Sequence, residues 1–399
     1  MDIHKEIGDE GEAYVNELAF VTYLKYWCYA NPKDEAGNYK EFCDLLILFR
    51  DTAVIISVKN HHYDGNPDKY QKKVIDKSTS QLNGAYRKLF ENQKDVYIKH
   101  PDRDEELFVP ANYKHIFRIT INVGEQFENY ALSDQVAGKG FINILNKDTF
   151  EAIIDELDTI NDLTDYLIKR EALLLQKVEI SHDCREKDLL ALFVTNARAF
   201  PVSTDTDGKL SMSGCTGAWD KYKASEAYHY RQAHDSSSYF IDDMVAKEVL
   251  SLPNGEALAR ELMNTTRFER RLLAKDLFSL VEKYQYTEPD ILARRYHVHN
   301  GIGYLIMYYG NGVPQNQIDE IVKLAAEVYA FQYEQKDVVA IAATDELKQY
   351  KFGLFKSFDA PPTPEATEYL NNFIKHFGWF QNEQKIEIRE TEFPDPHKS

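Results

Sequence analysis

The chain has 399 residues, a formal net charge of −18 and a mean hydropathy of −0.51. This length predicts two domains, and the apolar runs are far shorter than the roughly 20 residues that a membrane span needs. The polar, mostly acidic start MDIHKEIGDEGE also lacks the basic residues and the apolar core of a signal peptide. We therefore expect a cytoplasmic protein with no membrane partner.

Charge and cysteine content limit the kind of site that the chain can carry. The excess of acid argues against a broad nucleic-acid-binding surface, because Lys and Arg make the phosphate contacts in such proteins. The segment 69–94 departs from this average and is locally basic. The cysteines have no paired spacing, so they predict neither a zinc site nor a disulfide framework. They are Cys28, Cys43, Cys184 and Cys215.

The first 175 residues predict an α/β order, because short runs of Ile, Leu and Val alternate with stretches of helical periodicity. In chain order the predicted elements are a helix at 5–29, strands at 42–49 and 53–59, a helix at about 68–92, strands at 106–110, 115–123 and 141–145, and a helical stretch at 148–175. We interpret residues 1–175 as the first domain.

The rest of the chain, residues 176–399, predicts a second, mainly helical α+β domain. Its predicted elements are helices at 239–250, 256–284 and 316–334, strands at 338–343 and 350–355, and a last helix near 364–378. The arginines of TTRFERRLLAK (265–275) have helical spacing. They allow two interpretations, a phosphate-binding face or a solvated face paired with Glu.

The most informative stretch is the predicted hairpin FCDLLILFRDTAVIISVKN, residues 42–60, which places Asp44 and Lys59 inside apolar runs. A buried ion must be paired, protonated or coordinated, because leaving water unpaired costs several kcal/mol or more. If Asp51-Thr52 is a two-residue turn, Asp44 lies directly opposite Lys59. Side chains alternate along a strand, so Ser57 shares their face.

These side chains suit phosphodiester hydrolysis. The Asp44 carboxylate can hold Mg²⁺, which polarises a phosphate and lowers the pKa of a bound water, and Lys59 can orient that water or balance charge. A second acid is needed, and Glu12 lies on the helix face that carries Val15 and Ala19. The alternative is a structural Asp–Lys pair at the end of a sheet, beside a solvated Glu.

Four motifs follow one another along the first third of the chain. GDEGEAYV places Glu12 on the predicted first helix, and EFCDLLILF places Asp44 near the start of the first predicted strand of the hairpin. VIISVKN places Lys59 at the end of the second strand, and STSQLNGAYRKL places Gln81 on the next helix. Taken together and in order, over about residues 5–125, they resemble the first helix with its glutamate, the strand with its aspartate, the strand with its lysine and the following helix with its glutamine in the PD-(D/E)XK nuclease superfamily.

This resemblance implies a restriction-endonuclease-like mixed sheet flanked by helices, and hydrolysis of DNA that depends on Mg²⁺ or Mn²⁺. It implies that Glu12 and Asp44 are metal ligands and that Lys59 positions or activates the water. Ser57 would hydrogen-bond to these groups, and Gln81 would orient Lys59 or a phosphate. A nuclease core with a large second domain also resembles endonuclease effectors of bacterial antiviral defence.

The chain departs from the family pattern at Ser57, because the family usually has Asp or Glu two residues before its lysine. Some restriction enzymes of this fold take the missing acid from the next helix, where Asp68 and Asp76 are the available acids. Two interpretations follow. Glu12 and Asp44 hold one metal with waters, or the site is weakened and the chain is a binding scaffold.

The expected function is therefore metal-dependent hydrolysis of DNA. The rivals are a non-catalytic subunit that binds nucleic acid or protein in a defence complex, and a hydrolase that acts on RNA. Because the acidic surface should repel free DNA, we expect a homo-oligomer or a second protein subunit to supply positive surface.

Overall fold

The chain divides into two units, Met1–His229 and Tyr230–Ser399, in a computed structural model. The structure describes residues 3–23, 25–35, 39–92, 94–124, 130–136, 140–176, 178–356, 362–380, 383–385 and 390–393. The division predicted from the sequence, after residue 175, lies inside the first unit. Residues 176–229 therefore belong to the first unit and not to the second.

The first unit is built on a six-stranded mixed sheet, with two smaller sheets, β4-β5 and β10-β11-β9, beside it in the chain. The strands of the unit are β1 (Cys28–Ala30), β2 (Leu45–Phe49), β3 (Thr52–Lys59), β4 (Val96–Ile98), β5 (Glu106–Phe108), β6 (His115–Asn122), β7 (Ser133–Val136), β8 (Gly140–Asn146), β9 (Glu179–Ile180), β10 (Val202–Thr204) and β11 (Leu210–Met212). The order across the main sheet is β1-β2-β3-β6-β8-β7. In it β6 is parallel to β3 and β8, and the other neighbours are antiparallel.

Helices lie against this sheet, so the first unit is mixed α/β. They are α1 (Ile3–Tyr23), α2 (Pro67–Tyr70), α3 (Lys77–Tyr86), α4 (Lys147–Glu156), α5 (Ile160–Leu175), α6 (Glu186–Thr195) and α7 (Ala218–Lys223). Wider, π-helical turns at Gln71–Asp76 and Arg87–Glu91 continue α2 and α3. The resulting helical run, residues 67–91, is close to the predicted helix at 68–92. Leu82 on α3 packs in one buried cluster with Leu46 on β2 and Ile55 on β3.

The hairpin between β2 and β3 turns one residue earlier than predicted. Phe49 pairs with Thr52, so Arg50 and Asp51 form the turn. Arg50 has a φ of +50°, in the left-handed region. Thr52 belongs to the strand instead of the turn, and β-branched residues such as Thr favour strands. The predicted Asp51-Thr52 turn, and with it the predicted pairing of Asp44 directly opposite Lys59, was wrong.

The corrected register keeps the same faces. Moving a two-residue turn by one position changes every cross-strand partner by two residues, and two residues is the period of a strand. Leu45 pairs with Ile56, and continuing this register by one residue puts Asp44 level with Ser57. Lys59 lies two residues farther along β3, on the same face as Ser57.

The first helix ends earlier than the predicted 5–29. After α1 the chain makes a single 3₁₀ turn at Lys25–Trp27 and then forms β1. Pairing of β1 with β2 overrides the local helical pattern, because Tyr29 aligns with Leu46 and becomes buried at the edge of the sheet. The helical stretch predicted at 148–175 is likewise two helices. Thr159 caps the second of them, and its hydroxyl accepts the Asp162 amide hydrogen.

A disulfide links Cys184 and Cys215, whose Cα atoms lie 5.3 Å apart. The prediction that the cysteines form no disulfide was therefore wrong for this pair. The two residues are 31 positions apart and belong to no spacing motif, so only the fold brings them together. Both sulfurs lie in a small apolar cluster with Leu189 and Met212. Cys28 and Cys43 are free and buried.

The second unit contains a four-stranded sheet and several helices. Its elements are α8 (Glu226–Asp235), which begins just before the division, α9 (Tyr239–Met244), α10 (Gly255–Met263), α11 (Arg267–Tyr284), β12 (Leu292–His299), β13 (Ile302–Tyr309), α12 (Gln315–Gln332), β14 (Asp337–Ala343), β15 (Tyr350–Lys356) and α13 (Pro364–His376). The sheet order is β12-β13-β14-β15, with β13 and β14 parallel. Helix α12 packs against β14 and β15. No helix among the described residues is long and apolar enough to cross a membrane.

The arginines at the start of α11 are buried and paired. Arg267 and Arg270 both bind Asp242, and Arg271 binds Asp235. Arg271 is fully buried and also donates to the Thr391 carbonyl at 2.7 Å. Neither interpretation of this segment was correct, because the arginines are neither solvated nor open to phosphate.

Candidate active site

Asp44 is a buried carboxylate, 8% exposed, at the start of β2. Its backbone carbonyl accepts the Asn31 amide hydrogen at 3.0 Å, and its own amide donates to the Ile56 carbonyl at 3.2 Å. The side-chain Oδ2 accepts the Val58 amide hydrogen at 2.5 Å. Main-chain hydrogen bonds with Asn31, just after β1, and with Ile56 and Val58 on β3 thus fix the position and the orientation of this carboxylate.

Lys59 ends β3 and turns back towards Asp44. Its Nζ donates to Ser57 Oγ and to the Val58 carbonyl, both at 2.8 Å. The distance from Nζ to Asp44 Oδ2 is 3.9 Å, and each of these two side chains is 12% exposed. That distance is too long for a hydrogen bond. The ammonium group therefore lies beside the carboxylate without being hydrogen-bonded to it.

Ser57 connects the lysine to the helix that follows. Its hydroxyl accepts from Lys59 and donates to Gln81 Oε1 at 3.4 Å. Gln81 lies on α3 with its side chain exposed. The structure thus brings together Asp44, Ser57, Lys59 and Gln81 at one end of the β2–β3 pair.

Glu12 approaches this end of the sheet from α1. The preceding Gly11 permits the close approach, since a Cβ there would lie 2.8 Å from Val123 Cγ2 and 3.2 Å from Asn60 Cβ. Glu12 itself is half-buried. Its negative charge acts on Lys59 together with that of Asp44, so both acids contribute to the potential at the lysine.

Burial lowers the pKa of Lys59 below its ordinary value. Asp44 and Glu12 act in the opposite direction, whereas Lys77 on α3 lowers the pKa further. Burial disfavours the charged form of a lysine, and here it outweighs the two acids. Proton loss from Lys59 is therefore easier than from a lysine in water.

Asn122 is a polar residue of this region that the sequence did not single out. It ends β6 and is level with Lys59 in the parallel register. Its Oδ1 accepts the His61 amide hydrogen at 3.0 Å, and its Nδ2 donates to the His61 carbonyl at 3.1 Å. These contacts hold the chain that follows Lys59. An amide at the carboxyl end of a buried strand, beside the strand that carries the lysine, was the available signal.

The acids considered as replacements for the missing carboxylate lie on the exposed side of the helical run. Asp76 accepts a hydrogen bond from Gln71 Nε2 at 2.9 Å, and Asp68 lies in the first turn of α2. Both side chains are exposed. The structure gives neither of them a contact with Asp44, Ser57 or Lys59.

The side chains that could hold a metal ion at this place are few. Among the described residues no group of three or more His, Cys, Asp and Glu side chains is placed to hold a metal ion. Mg²⁺ is usually held by one or two carboxylates, with waters and substrate phosphates completing its shell. Val58 and Lys59 both approach Oδ2 of Asp44, so neither occupies Oδ1. Asp44 and Glu12 are the two carboxylates whose charge acts on Lys59, so they are the candidates for holding such an ion.

Comparison with known proteins adds no relative to this account. No protein-family model, no curated protein and no solved structure matches the chain.

Proposed function

We propose that this chain is a Mg²⁺-dependent endonuclease that hydrolyses DNA phosphodiester bonds, with Asp44, Glu12 and Lys59 at its centre. The observation that carries the proposal is the open arrangement at the end of the hairpin. A fixed carboxylate and a desolvated lysine lie 3.9 Å apart, on one face and at the surface end of a buried sheet. The motifs that resemble the nuclease superfamily lie in order on α1, at β2, on β3 and on α3, which also supports the proposal.

Each residue of the site would have its own role in hydrolysis. A Mg²⁺ ion held by Asp44 and Glu12 would polarise the scissile phosphate and lower the pKa of a bound water. The Val58 amide keeps Asp44 oriented. Lys59, whose pKa is lowered, would accept a proton from the attacking water when it is neutral, or as an ammonium ion would stabilise the negative charge that develops on the phosphate oxygens. Hydrolysis leaves one phosphate monoester and one hydroxyl end.

Ser57 and Gln81 would act on Lys59 and not on the substrate. Ser57 Oγ accepts from the lysine at 2.8 Å and donates to Gln81 at 3.4 Å. This relay holds the ammonium group at the rim of the site. Ser57 offers no charge to a metal, so we expect slower cleavage than from an enzyme with a third carboxylate.

The test is cleavage of plasmid, linear and single-stranded DNA with Mg²⁺, Mn²⁺ or EDTA. The wild-type protein should cleave with either metal and not with EDTA. Lys59→Met should lower the rate by about 10²–10³, the usual effect of removing one group that stabilises the transition state. Asp44→Asn should abolish cleavage. A wild-type protein that leaves every substrate intact, with either metal, would refute the proposal.

A second candidate function is a nuclease-like scaffold that binds nucleic acid or protein within a defence complex. The observation that favours it is Ser57 at the position where the family carries an acid. In that case the Asp44–Lys59 pair only stabilises the sheet end. Both candidates allow a homo-oligomer or a second subunit, which would add the positive surface that the acidic chain lacks.

A further inference from the structure

The outer face of the helical run carries a line of polar residues that leads away from the candidate active site. Lys73, Lys77 and Gln81 follow one another at four-residue intervals, and all three side chains are exposed. Residues four apart lie on the same side of a helix, about 6 Å from each other along its axis. We call these residues the Lys73–Gln81 line.

The two lysines of this line keep their charge available. The neighbouring Lys69 is neutralised by an ion pair with Asp64, whereas Lys73 and Lys77 form no ion pair within the described part of the chain. These two lysines, four residues apart, place two cations on the same exposed run as Asp68 and Asp76, on a chain with a net charge of −18.

The line is continuous with the candidate active site. At its inner end, Gln81 accepts the hydroxyl of Ser57 at 3.4 Å. Lys77 is close enough to Lys59 to lower its pKa, and Lys73 acts in the same way on the half-buried His61. Lysine charges thus follow one another from Lys59 outwards along the helical run.

We propose that Lys73 and Lys77 bind phosphates of the DNA strand that flank the scissile phosphate and so hold that strand along the helix. This inference rests on the proposed function, since it assigns the path of the same substrate. Lysine suits the task because a point charge on a flexible stem binds backbone phosphate without reading the base.

The test measures binding apart from cleavage. A labelled 30-base-pair DNA duplex is titrated with protein in EDTA, over a range of 50–200 mM salt, and the affinity is followed by fluorescence anisotropy. The variants are Lys73→Gln, Lys77→Gln and the double variant. The control is Lys114→Gln, which removes the same formal charge from a side chain that is 78% exposed and lies 3.5 Å from the Asp51 carboxylate. Lys114 precedes β6 at the turn end of the hairpin, and Lys59 lies at the opposite end of β3.

Each released phosphate contact lowers the salt dependence of binding by a known amount. Each single variant should reduce the slope of log K against log salt by about 0.9, and the double variant by about 1.8. Lys114→Gln should leave the slope unchanged. Equal slopes for the wild type, the double variant and the control would overturn the inference.

A parallel assay in Mg²⁺ separates this inference from the proposed function. If the wild type cleaves DNA but the double variant keeps the wild-type slope, the nuclease stands and the phosphate path is wrong. If the wild type binds with the predicted lysine dependence but never cleaves, the path stands and hydrolysis is refuted. If the wild type neither binds nor cleaves DNA, both ideas fail.

Discussion

Two charged pairs inside the first unit differ in almost every physical respect. Arg170 and Glu186 are fully buried and joined by two hydrogen bonds, of 2.6 and 2.7 Å. The remaining guanidinium donors reach Asn143 Oδ1 at 2.5 Å and the Leu132 carbonyl at 2.8 Å. The Tyr166 hydroxyl also donates to Glu186 at 2.5 Å. This is a closed pair, with its hydrogen-bonding groups used inside the protein.

The pair at the hairpin end is open. Lys59 Nζ lies 3.9 Å from Asp44 Oδ2, and its hydrogen bonds go to the neutral acceptors Ser57 Oγ and the Val58 carbonyl. The pKa values also move in opposite directions. Burial acts to lower the pKa of Arg170, but Glu186 outweighs it and raises that pKa. For Lys59 burial outweighs the acids, so its pKa is lowered.

The difference separates structural pairs from pairs available for chemistry. When a buried charge is fully compensated by its partner, the fold depends on the presence of both residues, because removing one leaves the other charged and unpaired. A buried charge that is only partly compensated costs folding free energy, and such groups are concentrated at functional sites. The comparison therefore predicts that removing one member will have very different consequences at the two places.

The largest effect is expected for Arg170→Met. This change leaves the Glu186 carboxylate buried without its cation, so it should lower the free energy of unfolding of the first unit by roughly 3–5 kcal/mol. Denaturant unfolding measures the difference. The control is Lys209→Met, which breaks a pair with Glu179 whose side chains are both 61% exposed; it should cost less than about 1 kcal/mol. Similar losses in both variants would remove the basis of the comparison.

A much smaller effect is expected for Lys59→Met. The methionine fills the space of the lysine stem without paying for a desolvated charge. The free energy of unfolding should change by no more than about 1 kcal/mol, which is typical of an average substitution. Denaturant unfolding of Lys59→Met and the wild type measures this change in the free energy of unfolding. A loss as large as that of Arg170→Met would show that the hairpin pair is structural, as the scaffold interpretation requires.

The smallest effect concerns an ion pair of intermediate exposure in the second unit. A hydrogen bond from His299 to Glu269 raises the pKa of His299. Its stabilisation is fully present below the ordinary pKa of about 6.5 and is lost as pH rises through the higher, folded pKa. Glu269→Gln removes the charge, and Gln can still cap the helix with Thr266.

Unfolding at two pH values tests this sign. Glu269→Gln should be less stable than the wild type at pH 5 and equal to it once His299 is deprotonated. Because the His299 side chain is 36% exposed, solvent screens the pair and the difference should stay below about 1 kcal/mol. A deficit that grows with rising pH would contradict the assignment.

The sequence predicted the faces of the hairpin better than its register. Alternation of apolar residues placed Asp44, Ser57 and Lys59 on one side, and this result survives a turn error of one residue because the strand period is two. The cross-strand partners depended on which residue adopts the left-handed backbone. Arg50 does so, and Arg has no local preference that would have indicated it.

Features held together by distant residues could not be predicted. The helix prediction at 5–29 failed because β1 is stabilised by Leu46 of the next strand. The burial of Arg271 could not be predicted either, because its ion-pair partner, Asp235, lies on another helix. The partners of Arg170 also come from three separate elements of the first unit. Pairings between residues that are distant in the chain cannot be predicted from the local pattern of a single sequence.

The measurement that tests the central claim most directly is the effect of Mg²⁺ on thermal unfolding of the wild type, Asp44→Asn and Lys59→Met. Binding to the folded state alone stabilises by about 1.4 kcal/mol at ten times the dissociation constant. The open-pair account predicts that Mg²⁺ raises the melting temperature of the wild type and of Lys59→Met, and leaves Asp44→Asn unchanged. A wild-type protein insensitive to Mg²⁺, with both variants strongly destabilised, would contradict it.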